Sequence, residues 1–330
     1  MQKRHVMAID AGPSGTRCAV ADYDGNLIAF GRSGPSRTDA IGAEGTRESL
    51  CEAVQAAVSS ADGSLPELDV ALAGVVGIGP DGEGAESAEA LLAEILPGAK
   101  RVRATGDMVV AFWGALSLPV GVVVSADTGS VCFGRNVTGE TCQIGGWGPL
   151  LGDEGSAYDI ARQGLRAGAR AADGRGRPTA LSELLVRALD VHDVADLARK
   201  AHSNSFDRDA IAALAVHVGA AARRRDPVAM RILQEAAKDL AIAAATALRE
   251  LNLMETPTSV SFSGSVFETG RTIVEAFARS MHEATPQARV EAPLLPPIGG
   301  AYRLGLQALG ITMDEPIIHK FAKGLLSRGL

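Results

Sequence analysis

Two short segments constrain this chain more than anything else in it: Asp10-Ala11-Gly12-Pro13-Ser14-Gly15-Thr16-Arg17 and Asp127-Thr128-Gly129-Ser130. Each follows an apolar, strand-like run, Val6-Met7-Ala8-Ile9 before the first and Val120 to Val124 before the second. Small residues and hydroxyls then occupy the place where the chain must turn. Such a turn presents backbone N–H groups and Ser/Thr hydroxyls to a phosphate without side-chain obstruction. Two of them, one in each half of the chain, suggest a nucleotide gripped from both sides.

At 330 residues, 46% of them hydrophobic, the chain has material for two domains with buried cores. Aromatic residues make up only 4%, so Ala, Val and Leu must do most of the packing. The net charge of −7, from 39 acidic and 32 basic residues, argues against a nucleic-acid partner. The one basic run, Arg223-Arg224-Arg225, reads as a solvated helix C-terminus. No apolar stretch approaches the roughly 18 residues that a membrane span requires. The expectation is a cytoplasmic protein without a signal peptide. Cys18, Cys51, Cys132 and Cys142 form no C-x-x-C pair, and the six histidines make no metal-like set.

Along the chain, residues 5–31 read as a three-strand meander, with Asp24-Gly25-Asn26 as a hairpin turn. A helix over 45–60, a buried strand at 70–78, a helix at 85–96, a strand at 101–105 and a helix at 108–116 follow. A related strand pattern restarts at Val120, which suggests two similarly built halves. Residues 154–251 are mainly helical, with Asp226-Pro227 as a clean helix start. A strand at 259–263, a helix at 269–284, a short strand at 290–292 and helices at 299–309 and 314–326 complete the pattern.

The segment Asp-x-Gly-x-Ser-x-Thr-Arg at 10–17 resembles the first phosphate motif of the actin/hexokinase/Hsp70 ATPase superfamily. Asp127-Thr128-Gly129-Ser130 is similar to its second, and Gly264-Ser265-Val266-Phe267 to its adenosine motif. The run Gly145-Gly146-Trp147-Gly148-Pro149-Leu150-Leu151-Gly152-Asp153-Glu154-Gly155-Ser156-Ala157-Tyr158 resembles the signature of the N-acetylglucosamine kinase branch, which includes the BadF/BadG/BcrA/BcrD ATPases.

The resemblance implies two ribonuclease H-like lobes around an interlobe cleft, the second enlarged by helices. It implies lobes at 1–117 and 118–311, with a helix at about 312–330 packing back on the first. It implies ATP, Mg²⁺ and a small sugar as ligands, and is compatible with a homodimer.

By the same resemblance Asp107 is the general base on the sugar hydroxyl and Asp10 organises Mg²⁺. A hydroxyl nucleophile needs a carboxylate within reach to take its proton, and a loose transition state asks for little else beyond positioning and charge neutralisation. Gly12, Ser14, Gly15 and Thr16 would receive phosphate, with Thr128, Gly129 and Ser130 from the second turn and Gly264 and Ser265 on the adenosine side. Arg17 fits either a phosphate contact or a surface ion pair. Gly146 and Trp147 would shape the sugar pocket, with Asp153 accepting sugar hydroxyls; the alternative is Glu154 as that contact.

Three residues depart from the family pattern. Pro13 replaces a glycine and removes one N–H that could bond phosphate. Asp127 puts a carboxylate where phosphates are expected, as a metal ligand or as a sign of weakened nucleotide use. Arg37 stands where related kinases hold their substrate with an asparagine, which points to an acidic or modified sugar as the alternative acceptor. Two other classes share the phosphate turns: an iron–sulfur activator of a radical enzyme, and a non-catalytic sugar or nucleotide sensor.

Overall fold

The computed structural model describes residues 4–330 except Arg37, Asp62, Pro80 and His202–Ser205, and leaves out the side chains of residues 38–41 and 43. The chain opens with β1 (His5–Gly12), β2 (Gly15–Asp22), β3 (Leu27–Ser33), α1 (Thr38–Ser60), β4 (Leu68–Val75), α2 (Ala85–Ile95), β5 (Val102–Gly106) and α3 (Asp107–Ala115). These strands form one sheet in the order β3-β2-β1-β4-β5. β1 runs antiparallel to β2 and parallel to β4, and β4 runs parallel to β5.

Every residue of β1 is buried because helices cover both faces of this sheet. Met7, Ile9 and Ala11 point to one side, against Leu50, Ala53 and Ala57 of α1 and Leu92 of α2. Val6 and Ala8 point to the other side, against Val110 of α3. That is why the strand reads as an unbroken apolar run rather than an alternating one.

The second set of elements is β6 (Gly121–Ala126), β7 (Ser130–Arg135), β8 (Thr141–Gly145), α4 (Ala157–Ala172), α5 (Leu181–Ala188), α6 (Val194–Ala201), α7 (Arg208–Ala212), α8 (Ala215–Arg223), α9 (Pro227–Glu250), β9 (Thr258–Ser263), α10 (Ser265–Glu268), α11 (Arg271–Ala284) and β10 (Ala288–Val290). Its sheet order is β10-β9-β6-β7-β8, with β6 antiparallel to β7 and parallel to β9. The two sheets therefore share one topology, that of a ribonuclease H-like lobe, and helices α4–α9 enlarge the second between β8 and β9. The restart of the strand pattern at Val120 is the sequence trace of this duplication.

The chain ends with α12 (Pro297–Gln307) and α13 (Glu315–Leu326). Two compact units result, residues 1–119 with 292–330, and residues 120–291. Residues 292–311, which the sequence reading assigns to the second lobe, thus pack in the first. The physical reason is visible in the core: Ile298, Ala301, Tyr302 and Leu306 of α12 bury against Val6, Ala8, Val70 and Leu72 of the first sheet. Glycines let α12 approach α3 closely, since a Cβ on Gly300 would lie 1.8 Å from the Val110 carbonyl oxygen. Phe321 of α13 stacks on Tyr302 with ring centroids 4.3 Å apart.

Candidate active site

In the first unit the phosphate motif is the β1–β2 hairpin. Gly12 pairs with Gly15, leaving Pro13 and Ser14 as a two-residue turn. Proline fixes φ near −65°, which rules out the primed turns that usually close such hairpins, and no residue from Gly12 to Gly15 has a positive φ. These glycines are therefore not there to relieve backbone strain. A Cβ on Gly12 would meet nothing nearer than 3.6 Å, and one on Gly15 nothing nearer than 3.4 Å. The protein itself has room for a side chain at both places, so glycine keeps the surface of the turn open. Ser14 is exposed at its tip.

Asp10, at the end of β1, is buried, and its Oδ2 accepts a bond from Arg17 Nη1 at 3.1 Å. Of the two readings open for Arg17, the structure has the ion pair. Thr16 is placed differently from the expected phosphate donor. Its side chain is buried, with the hydroxyl donating to the Gly34 carbonyl at 2.9 Å and lying 2.5 Å from Ser36 Oγ. Ser36, missed in the sequence, also donates its N–H to the Gly12 carbonyl at 3.2 Å. Together these bonds tie the loop after β3 to the hairpin. Arg37, next in that loop, lies outside the described residues.

Asp107 is the first residue of α3, directly after β5. Strand register fixes its relation to Asp10: Asp10 pairs with Gly74, and Gly74 with Thr105. With β4 between them, β1 and β5 stand about 10 Å apart at strand spacing. Asp10 and Asp107 thus lie at the C-terminal ends of parallel strands, where ligands of open α/β sheets bind. Asp107 also sits at the positive end of its helix, a favourable place for a negative charge.

In the second unit the predicted residues gather around Ser130. Its N–H donates to Asp153 Oδ1 at 3.3 Å, its hydroxyl to the Glu154 carbonyl at 2.7 Å, and its carbonyl accepts the Gly146 N–H at 3.1 Å. The three-residue turn Asp127-Thr128-Gly129 is closed by Asp127 N–H to Gly129 carbonyl at 2.8 Å. The N-terminus of α4 reaches the same turn, the Ala157 N–H donating to the Asp127 carbonyl at 2.8 Å. Asp127 has an internal partner, since Oδ1 accepts the Ser265 N–H at 2.8 Å. Gly264, at φ 99°, packs so tightly that a Cβ would lie 2.4 Å from the Ala126 carbonyl oxygen. Thr128, Gly129, Ser130, Gly264 and Ser265 are therefore brought together in this unit.

Asp153 is placed differently from the sugar contact expected of it. It is 3% exposed, and its oxygens accept from Ser130 N–H and from Arg208 Nη2. Its backbone is left-handed, φ 61°, a region that Asp tolerates better than most residues but that commonly marks a functional constraint. Glu154, by contrast, is exposed. A Cβ built on Gly152 would lie 3.2 Å from Trp147 Cβ and 3.6 Å from Glu154 Oε2, so the first side-chain carbon of Trp147 and that carboxylate flank one glycine. Trp147 itself is 75% exposed on a loop whose Gly145, Gly146 and Gly148 all have φ between 77° and 80°.

Behind this loop Asp239 of α9 lies near Asp159, Glu154 and Glu235. Burial first, and then those carboxylates, push its pKa up. Cys18 and Cys132 lie inside the two cores, where burial raises the Cys18 thiol to about 12 and Cys132 well above its usual value. Among the described residues no helix is long and apolar enough to cross a membrane.

The sequence profile of the BadF/BadG/BcrA/BcrD ATPase family matches residues 8–302, from β1 through most of α12. The chain belongs to the BadF/BadG/BcrA/BcrD ATPase family. It is similar to an N-acetylmuramic acid/N-acetylglucosamine kinase of Clostridium acetobutylicum, 26% identical over 287 residues, covering 87% of this chain and 93% of the relative. An N-acetyl-D-glucosamine kinase of Dictyostelium discoideum is 25% identical over 319 residues, covering 93% and 99%. The crystal structure of a ROK family glucokinase from Streptomyces griseus, in complex with glucose and AMPPNP, shares the fold. Its TM-score is 0.62 at 17% identity, with 92% of this chain and 99% of that one covered.

Proposed function

We propose that this ATPase-family protein transfers the γ-phosphate of ATP to a hydroxyl of an amino sugar, N-acetylglucosamine or glucosamine being the acceptor class. The observation that carries the reading is the pairing, within one sheet, of an open glycine hairpin beside Asp10 with Asp107 two strands away. A phosphate seat and a carboxylate at that separation suit attack of a hydroxyl on phosphorus. Kinase relatives aligned over 87% and 93% of this chain support the same chemistry.

In this reading Asp107 accepts the proton of the sugar hydroxyl as its oxygen bonds to the γ-phosphorus. The bond from that phosphorus to the β-phosphate oxygen breaks, ADP leaves, and the proton passes from Asp107 to water. Ser14 and the backbone of Gly12 and Gly15 receive the terminal phosphates, and Thr16 holds the hairpin to the loop after β3. Thr128, Gly129 and Ser130 receive phosphate from the second turn, with Gly264 and Ser265 on the nucleoside side. Trp147 and Gly146 wall the sugar. Glu154 accepts its hydroxyls, and Asp153 supports the turn from behind.

The residues present fit Mg²⁺. Asp10 Oδ1 faces Gly12, 3.7 Å from where a Cβ would stand, so a carboxylate oxygen borders the open face of the hairpin. Mg²⁺ takes one or two carboxylates and fills its shell with water and phosphate oxygens, so a single aspartate suffices. When bound, the ion neutralises phosphate charge. The deciding experiment is an ADP-release screen over glucosamine, N-acetylglucosamine and N-acetylmuramate. Turnover that depends on an amino sugar supports the reading, and ATP hydrolysis indifferent to every sugar overturns it.

A further inference from the structure

Arg208 belongs to no motif in the sequence, yet it touches the second phosphate turn. It is the first residue of α7, with Asp207 capping the helix. Its Nη2 donates to Asp153 Oδ2, while Oδ1 of the same carboxylate accepts the Ser130 N–H at 3.3 Å. The guanidinium also lies against the turn itself, since a Cβ on Gly129 would come 2.8 Å from Nη2 and 3.0 Å from Asp153 Oδ1. Side-chain exposure is 23% for Arg208 and 4% for Asp153.

We infer that Arg208 is a positioning residue for nucleotide binding, acting through Asp153 to hold the Asp127–Ser130 turn in its phosphate-receiving shape. The inference rests on the reading that this turn receives phosphate. A carboxylate this buried is tolerated only when paired. Without the guanidinium, Asp153 turns toward water and releases the Ser130 N–H, and the turn loses a side-chain brace on that edge. Gly129 is glycine for the same reason: any side chain would displace the pair.

The geometry also says what kind of cation is needed. Arg208 meets Asp153 through one terminal nitrogen, while its Nε is buried without a hydrogen-bond partner among the described residues. The two-pronged fork that distinguishes Arg from Lys is not in use. The positive charge at that place is what Arg208 supplies to Asp153.

Calorimetric titration of the full chain with ADP tests this, and it needs no sugar. Arg208→Gln is expected to raise the ADP Kd about tenfold to a hundredfold, the range for losing a charge-assisted hydrogen bond. Arg208→Lys should stay within about threefold of the wild type, because the point charge remains. Combining Arg208→Gln with Asp153→Asn should be no worse than Arg208→Gln alone, since the two act as one unit. Unchanged ADP affinity in a folded Arg208→Gln protein overturns the inference, as do effects that multiply in the double variant. If Arg208→Gln does not fold, Arg208→Lys decides alone: near-normal ADP affinity supports the role of the charge, and a large loss overturns it. Failure of the kinase reading would look different, as absence of sugar-dependent turnover in a wild type that binds ADP.

Discussion

Asp127 and Ser265 are joined by a 2.8 Å hydrogen bond from the Ser265 N–H to Asp127 Oδ1, although 138 residues separate them in sequence. The bond links the turn between β6 and β7 to the start of α10. It gives the aspartate that departs from the family pattern an internal use. The carboxylate spends one oxygen on a backbone donor instead of standing alone against phosphate charge.

Replacing Asp127 by Ala should therefore loosen the Gly264–Ser265 strand-to-helix junction and weaken ADP binding about tenfold, as loss of a charge-assisted bond would. Asp127→Asn keeps an oxygen acceptor and should bind ADP nearly as well as the wild type. Equal Kd values for the Ala variant and the wild type in a calorimetric titration would refute the coupling.

Asp107→Asn keeps the size of the side chain and removes its basicity. Its kcat for sugar-dependent ADP release should fall about a hundredfold to ten-thousandfold, the usual worth of a general base. ADP affinity should not change. A variant that retains kcat within a few-fold would remove Asp107 from the chemistry.

The carboxylates at 153 and 154 should separate kinetically. Glu154→Gln is expected to raise the KM for the amino sugar about tenfold with the nucleotide KM intact, as expected for a weakened hydrogen-bond acceptor. Asp153→Asn should do the reverse, because its oxygens face Ser130 and Arg208. The opposite pattern in steady-state kinetics would restore Asp153 as the sugar contact.

Gly300→Ala places a methyl group 1.8 Å from the Val110 carbonyl oxygen, a backbone atom that can yield only if α3 and α12 separate. A loss of at least about 2 kcal/mol is expected, in the range for overpacking. Urea unfolding monitored by circular dichroism measures it, and an unshifted midpoint would contradict the close helix contact.

Asp226 caps α9. Burial pushes its pKa up, but N–H bonds from Ala229 and Ala180, the Thr179 hydroxyl and the Val228 N–H outweigh that and hold it below the ordinary aspartate value. A depressed folded pKa means that the stabilisation is present above the unfolded value of about 3.9 and is lost as pH falls through the lower folded one. Asp226→Ala should cost about 1–2 kcal/mol near pH 7 and at pH 5, with the gap from wild type closing below about pH 4. A gap that grows on acidification would reverse the sign.

How much of this was legible depends on how local the cause is. The first sheet announced itself because β1 is buried on both faces and Gly25, at φ 85°, makes the turn after Asp24 recognisable. The hairpin at 12–15 and the cap at Asp226 were readable for the same reason: the partner lies within a few residues. The bonds from the Thr16 hydroxyl to Gly34 and Ser36 have no local signal, because the partners lie 18 and 20 residues away. Arg208 was invisible because Asp153 lies 55 residues away. The apolar stripe of α12 marked a helix, but a stripe does not say which sheet it covers, and so residues 292–311 were put in the wrong half.

The return of α12 and α13 to the first sheet also sets an order of events at the ribosome. The face formed by Val6, Ala8, Val70 and Leu72 waits for Ile298, Tyr302 and Phe321, which are translated after residues 120–291. Residues 120–291 form a contiguous unit and can close their own core while that face is covered only in part, by Val110 of α3. A nascent chain of this protein therefore carries an incompletely covered apolar sheet while residues 120–291 are being made.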